Sequence, residues 1–86
     1  MKGPICEESP EVFRKEWALR DLRGAAASCV RRTKSCFVKQ VLGMERRSRS
    51  YGLSREQTHA AIHEGMAGVP NPNPGKVRAL RKQLAE

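Results

Sequence analysis

Apolar residues recur at intervals of three or four between Leu22 and Met44, and this spacing constrains the fold more than any other feature of the chain. Residues at that interval share one face of an α-helix, because the helix repeats about every 3.6 residues. Arg31, Lys39 and Arg46 fall largely outside that face. The apolar stripe consists of Leu22, Ala26, Cys29, Val30, Thr33, Phe37, Val41 and Met44. It predicts an amphipathic helix through this region.

The helical pattern has a start signal upstream of the stripe. Ser9 is a suitable N-cap, and Pro10 suits the first helical position because its missing N–H would be unsatisfied there in any case. Gly24 is the first interruption. A glycine inside a helix costs only about 1 kcal/mol relative to alanine. Residues 9–44 are therefore predicted to form either one long helix kinked near Gly24 or two helices joined there.

The segments on either side of this pattern have no clear period. Residues 1–8 contain glycine, proline and two adjacent glutamates, and we expect an irregular arm. Residues 45–52 lose the apolar spacing and end in glycine, so they are predicted to be a basic connector. Within the first helix we expect Trp17 to anchor the core rather than to stack on a nucleobase.

The C-terminal half contains two further helices with different start signals. Ser54 and Gln57 form a capping box, which predicts a helix over residues 55–64 that ends at Gly65. Its inward residues are predicted to be Thr58, Ala61 and Ile62. The last helix is predicted to begin at Pro74 with Asn73 as its cap and with Val77, Leu80 and Leu84 inward.

A proline-rich loop over residues 69–75 joins these two helices, because its prolines forbid both a helix and a sheet ladder. Residues 53–86 are thus expected to form a helical hairpin. A capped helix, a break and a basic helix faintly resemble a helix-turn-helix whose last helix enters the major groove. The break of about nine residues departs from the usual turn of three or four, so an ordinary helical hairpin is the alternative.

The chain as a whole is predicted to be a single all-α domain, a small bundle of three to four helices. Its 86 residues support one core, and no segment alternates convincingly as a strand. Only four residues are aromatic, so the core must consist largely of aliphatic side chains, methionine and cysteine. The stripe spans about six turns and each C-terminal helix about three. Uncovered apolar length of this kind favours a homodimer.

Positive charge is concentrated in the same region as the stripe. Residues 20–49 contain nine arginines and lysines, opposed only by Asp21 and Glu45, and this excess accounts for most of the net charge of +8. A concentrated positive field attracts polyanions. Arginine outnumbers lysine there, which favours bidentate contact with phosphate over a merely solvated surface.

This charge has three interpretations, namely two binding functions and a helix face that is merely solvated. The first is a small nucleic-acid-binding protein of accessory or regulatory type, with duplex favoured over single strands because no stacking aromatic lies near the basic groups in the sequence. The second is an adaptor or inhibitor that binds an acidic protein surface, aided by Val38 and Leu42. The predicted nucleic-acid contacts are Arg31, Arg32, Lys34, Arg46, Arg47, Arg49, Lys76, Arg78, Arg81 and Lys82.

No motif predicts catalysis, a cofactor or a metal. His59 and His63 have a spacing that can present two imidazoles to zinc, but Cys29 and Cys36 would lie about 10 Å apart along a helix, too far to share one ion with them. Both cysteines are expected to act as small hydrophobes. Three cysteines cannot all pair within the chain, and neither a signal peptide nor a membrane span is apparent, so a reducing cytoplasm is expected.

Overall fold

The computed structural model describes residues 10–32 and 38–85, with side chains from residue 12 onward. Their helices are α1 (Pro10–Val30), α2 (Val38–Ser50), α3 (Arg55–Ala67) and α4 (Pro74–Ala85). These residues include no β-strand, so the predicted all-α bundle is confirmed. The predictions made for residues 1–8 and for Ser9, Thr33, Lys34, Cys36 and Phe37 fall outside the described residues.

One hydrophobic core joins all four helices. The most extensive packing is between α1 and α3, and α2 and α4 each pack against α1 and against one another. The core cluster consists of Leu22, Ala26, Cys29 and Val30 from α1, Val41 from α2, Ala61, Ile62 and Met66 from α3, and Leu80 and Leu84 from α4. The predicted inward residues of α3 and α4 are therefore confirmed, with Val77 half-buried against the cluster.

Gly65 lies where α1 and α3 come closest, and it does not end α3 as predicted. A Cβ at Gly65 would collide with the backbone carbonyl oxygen of Arg23 and lie 2.9 Å from its Cα. Glycine is needed here because the two backbones leave no room for a side chain. The helix continues to Ala67, and Gly68 is its C-cap.

α1 continues through Gly24, so the predicted junction of two helices at that residue is wrong. Gly24 is exposed, and the alanines that follow it are strong helix formers that offset its cost. The helix ends instead at Val30, whose carbonyl oxygen accepts a hydrogen bond of 2.6 Å from the backbone N–H of Asn73. That contact from another part of the chain replaces the helical hydrogen bond that a further turn would supply. Among the described residues, the predicted segment contains two separate helices, α1 and α2, and neither begins nor ends at Gly24.

The predicted basic connector over residues 45–52 is also wrong, because residues up to Ser50 belong to α2. The inward face of α2 begins with the apolar Val41 and continues with Glu45 and Ser48, both of which are buried. These polar residues keep the helical spacing of three and four but hide the apolar period. The helix therefore extends beyond the point at which the apolar pattern stops.

Asn73 caps α4 as predicted and also positions it. Its side-chain oxygen accepts hydrogen bonds from the N–H groups of Gly75 and Lys76 at 2.9 and 3.3 Å. Because its own N–H is bonded to Val30, the start of α4 is held against the end of α1. α4 packs mainly on α1 and α2 rather than on α3. The expected hairpin of the last two helices is therefore not the packing unit, and the resemblance to a helix-turn-helix is not confirmed.

The apolar stripe does not supply the uncovered surface on which the prediction of a homodimer rests. The described stripe residues of α1 and α2 are covered within the chain, chiefly by Ile62 and Met66 of α3 and Leu80 of α4. The stripe is divided between two helices that fold back on one another. It therefore does not present six continuous turns to a second copy.

We predict opposite effects for two glycine substitutions. Gly65→Ala should lower the free energy of unfolding by about 1–3 kcal/mol or more, because the added methyl group must separate α1 from α3. Gly24→Ala should raise it by roughly 0.5–1 kcal/mol, because nothing lies within 4 Å of an added Cβ and alanine favours the helix. Urea unfolding measures both. Equal effects would contradict the close approach at Gly65.

Candidate nucleic-acid interface

The outward face of α2 is basic. Val41, Glu45 and Ser48 point into the bundle, so the helical repeat turns Arg46 and Arg47 toward solvent, and both are exposed. Neither forms an ion pair with an acid among the described residues. Their guanidinium groups therefore remain available to an external anion.

Arg49 differs from these two arginines because it belongs to an internal network around Glu45. The Glu45 carboxylate, with only 7% of the residue exposed, lies 3.0 Å from the Thr58 hydroxyl, whose single proton it shares as an acceptor with the Arg55 carbonyl oxygen at 2.9 Å. The same Glu45 oxygen, Oε2, lies 3.5 Å from Arg49 Nη1 and 3.5 Å from His59 Nε2. A buried carboxylate requires such partners. Arg49 thus helps to neutralise Glu45, and its charge is less available to a ligand than those of Arg46 and Arg47.

His59 lies on the α3 side of this network and is mostly buried. Desolvation by burial is the main cause that lowers its pKa from the ordinary value of 6.5, because burial disfavours the charged imidazolium. The Glu45 carboxylate opposes this effect and raises the pKa, whereas Arg55, Arg49 and His63 lower it further. Burial and the neighbouring cations together outweigh the carboxylate.

The described chain brings a second basic group together at the junction of α1 and α4. Arg31 and Arg32 follow Val30 directly and are exposed, and the hydrogen bond from Asn73 to Val30 places them beside the start of α4, near Lys76. Arg78, Arg81 and Lys82 continue along the solvent face of α4, opposite the buried Leu80 and Leu84. Of the predicted contacts on α4, only Lys76 is half-buried.

Arg46 and Arg47 of α2, here called the α2 group, and the α1–α4 junction lie toward opposite ends of α1. The turn after α2 contacts α1 near Lys15, whose Cε is 3.3 Å from the position of a Cβ on Gly52. The junction lies at Val30, at the other end of the same helix. Fifteen residues of α-helix span about 22 Å. The predicted site residues therefore form two groups rather than one patch.

Aromatic side chains lie beside the α2 group, which the sequence-based argument against single strands did not anticipate. The predicted core role of Trp17 is wrong: 47% of the residue is exposed, and Phe13 and Tyr51 are exposed to a similar extent. The signal was present in the spacing, because Trp17 lies five residues before Leu22 and so faces away from the core. Arg14 and Arg20 were also not predicted as site residues, although each lies three residues from Trp17 and so on the same side of α1.

The candidate metal ligands do not come together as a metal site in the described part of the chain. His59 faces Glu45 whereas His63 is exposed on α3, and no three histidine, cysteine, aspartate or glutamate side chains there could hold an ion together. Cys29 lies within the core cluster. Over residues 10–32 and 38–85, no helix combines the length and hydrophobicity needed to cross a membrane.

No known protein family matches this sequence, and no curated protein and no solved structure is significantly similar to it.

We predict that the hydrogen bond between Thr58 and Glu45 stabilises the packing of α2 on α3. Thr58→Val should lower the free energy of unfolding by about 1.5–3 kcal/mol, because it leaves a buried carboxylate without its hydroxyl donor. In a Glu45→Gln background the same change should cost less, since the charge is gone. A double-mutant cycle measured by urea unfolding checks this, and purely additive effects would contradict it.

We also predict a stability change near neutral pH that depends on His59. The folded protein binds the proton of this imidazole more weakly than the unfolded chain does, so stability should fall as the pH is lowered through 6.5. The loss should level off below the folded-state pKa. His59→Gln should reduce this part of the pH dependence, measured by urea unfolding between about pH 5 and 8. His63→Gln, on the exposed face of α3, is the control, and an unchanged profile in His59→Gln would refute the assignment.

Proposed function

We propose that this chain is a small nucleic-acid-binding protein of the accessory or regulatory type, which contacts phosphates through exposed arginine and lysine side chains. The observation that carries the proposal is a set of exposed basic side chains that have no acidic partner among residues 10–32 and 38–85. Seven of the predicted contacts are exposed and form no ion pair with an acid among the described residues: Arg31, Arg32, Arg46, Arg47, Arg78, Arg81 and Lys82. Exposed cations of this kind can exchange their counterions for phosphates.

The separation of the basic groups supports a long polyanion as the ligand. The α2 group lies on the helix whose end contacts α1 near Lys15, whereas the α1–α4 junction lies at Val30, at the other end of the same helix. Phosphates follow one another at about 3.4 Å along one strand of a duplex, so one strand presents several of them over the length of α1. A small anion could contact only one group at a time. A nucleic acid can engage both.

An acidic protein surface is the alternative ligand for the same charges. Trp17 and Tyr51 are of the residue types that often dominate protein interfaces, and they lie beside the α2 group. Val38 and Leu42, which the sequence suggested for such an interface, are half-buried against the core instead. Their packing weakens this alternative without affecting the phosphate contacts.

We predict that Arg46→Ala/Arg47→Ala weakens binding to nucleic acid and flattens its salt dependence. Each lost phosphate contact should remove a little under one unit from the slope of log K against log salt concentration. The matched control is Ala60→Glu/Ala67→Glu, which lowers the net charge by the same two units on the exposed face of α3. Fluorescence anisotropy with labelled duplex and single-stranded oligonucleotides measures the slopes.

The comparison separates local contact from overall charge. If both double variants lower the slope equally, only the net charge of the chain matters and the α2 group is not a contact surface. If the unmodified chain binds no nucleic acid at about 50 mM salt, the proposed function is wrong. The acidic-protein alternative then takes its place.

A further inference from the structure

Phe13, Trp17 and Tyr51 form an exposed surface, here called the aromatic surface, on the side of α1 that faces away from the core. Phe13 and Trp17 are one turn apart on α1, with their ring centres 6.0 Å apart and their planes inclined by 72°. The Arg20 guanidinium lies 5.2 Å from the centre of the Trp17 ring, at a distance typical of a cation–π contact. Flat rings held at fixed positions with about half their surface exposed are suited to stacking.

Two grooves border the Trp17 ring. One, of about 420 Å³, is lined by Phe13, Trp17, Glu16 and Arg20 among others. The other, of about 580 Å³, lies between Trp17 and Tyr51 and includes Arg14 and Asp21. Each groove therefore combines aromatic carbon with a guanidinium group and a carboxylate. A ligand that fits both features must have a flat apolar face and a polar edge.

The aromatic surface is continuous with the basic end of α2. The N–H groups of Tyr51 and Gly52 donate to the carbonyl oxygens of Ser48 and Arg49, each at 3.0 Å, so the chain turns directly from α2 toward α1. Gly52 has a φ of 99°, which suits glycine and allows the turn to lie close to Lys15. Tyr51 is thus held at the junction of the exposed cations of α2 and the rings of α1.

We propose that the aromatic surface binds unpaired bases of single-stranded nucleic acid while the adjacent arginines of α2 contact its phosphates. Base stacking on aromatic side chains and charge contact along the backbone are the two components of single-strand recognition. The carboxylates of Glu16 and Asp21 can accept hydrogen bonds from base amino groups at the groove edges. This inference rests on the proposed function and names the form of nucleic acid that the same site recognises.

The chemistry of the surface favours bases over a protein partner or a second copy. Half-exposed side chains of this type present roughly 100 Å² each, so these three together with Val12 offer about 400 Å². An apolar protein surface would also bury the charges of Arg14, Arg20, Glu16 and Asp21 without matching them. Bases are smaller, and their polar edges can pair with those charges.

The test compares strands that share their phosphates and differ in their bases. The chain is titrated at about 50 mM salt with an oligodeoxyadenylate of about 12 nucleotides, an abasic strand of equal length and a duplex. Trp17 is the only tryptophan, so its fluorescence reports directly on the aromatic surface. We expect the base-containing strand to quench this fluorescence and to bind about tenfold more tightly than the abasic strand.

Substitutions at Trp17 connect this difference to the aromatic surface. Trp17→Ala should weaken binding of the oligodeoxyadenylate by about tenfold and leave the abasic strand unaffected, whereas Trp17→Phe should retain most of the affinity. Anisotropy of labelled strands measures both variants. Trp17 faces solvent, so both variants should fold, and their helical circular dichroism is the check. Arg46→Ala/Arg47→Ala should weaken both strands alike.

The outcomes distinguish this inference from the proposed function. Equal binding of abasic and base-containing strands without quenching would overturn the stacking site and leave phosphate contact in place. Failure to bind any of the strands would overturn both and leave a protein partner as the occupant. Trp17 fluorescence that changes with protein concentration alone, with a doubled mass by light scattering, would assign the surface to a second copy.

Discussion

The contact between α1 and α3 at Gly65 is the constraint on which the rest of the bundle depends. Without a side chain at this position, the α3 backbone approaches that of Arg23, and Leu22 and Ile62 enter one core. α2 and α4 then contribute Val41, Leu80 and Leu84 to the cluster that this pair begins. The ion pair of 3.4 Å between Arg23 and Glu64 borders the contact but is largely exposed, so it contributes little. Close packing of backbones, rather than surface charge, holds the central pair.

Local signals in the sequence were sufficient for the starts of α3 and α4. The capping box at Ser54 and Gln57 and the cap at Asn73 lie within one turn of the helices that they start, so both starts could be predicted. The break after Val30 could not, because its cause is a hydrogen bond from Asn73, far along the chain. Local periodicity contains no information about such a contact.

The candidate site was predictable in part. The exposure of Arg46 and Arg47 follows from composition and helical spacing, but the pairing of Arg49 depends on Glu45, whose burial breaks the usual rule for carboxylates. Glu45 is buried because Thr58 and His59 from another helix satisfy it. Trp17 shows a different limit. Its spacing from Leu22 indicated an outward ring, and the general tendency of tryptophan to lie inside was given too much weight.

The pairing of α1 with α3 also makes the core depend on contacts between distant parts of the chain. These helices are separated in the sequence by the whole of α2, so the cluster around Leu22 and Val30 is complete only when Ile62 and Met66 of α3 join Val41 of α2. Neither the α1–α2 pair nor the α3–α4 pair includes the contact between α1 and α3. Closing the intervening segment costs entropy before that contact is gained. Folding must therefore bring α1 and α3 together across α2, and a hairpin of neighbouring helices cannot complete the core alone.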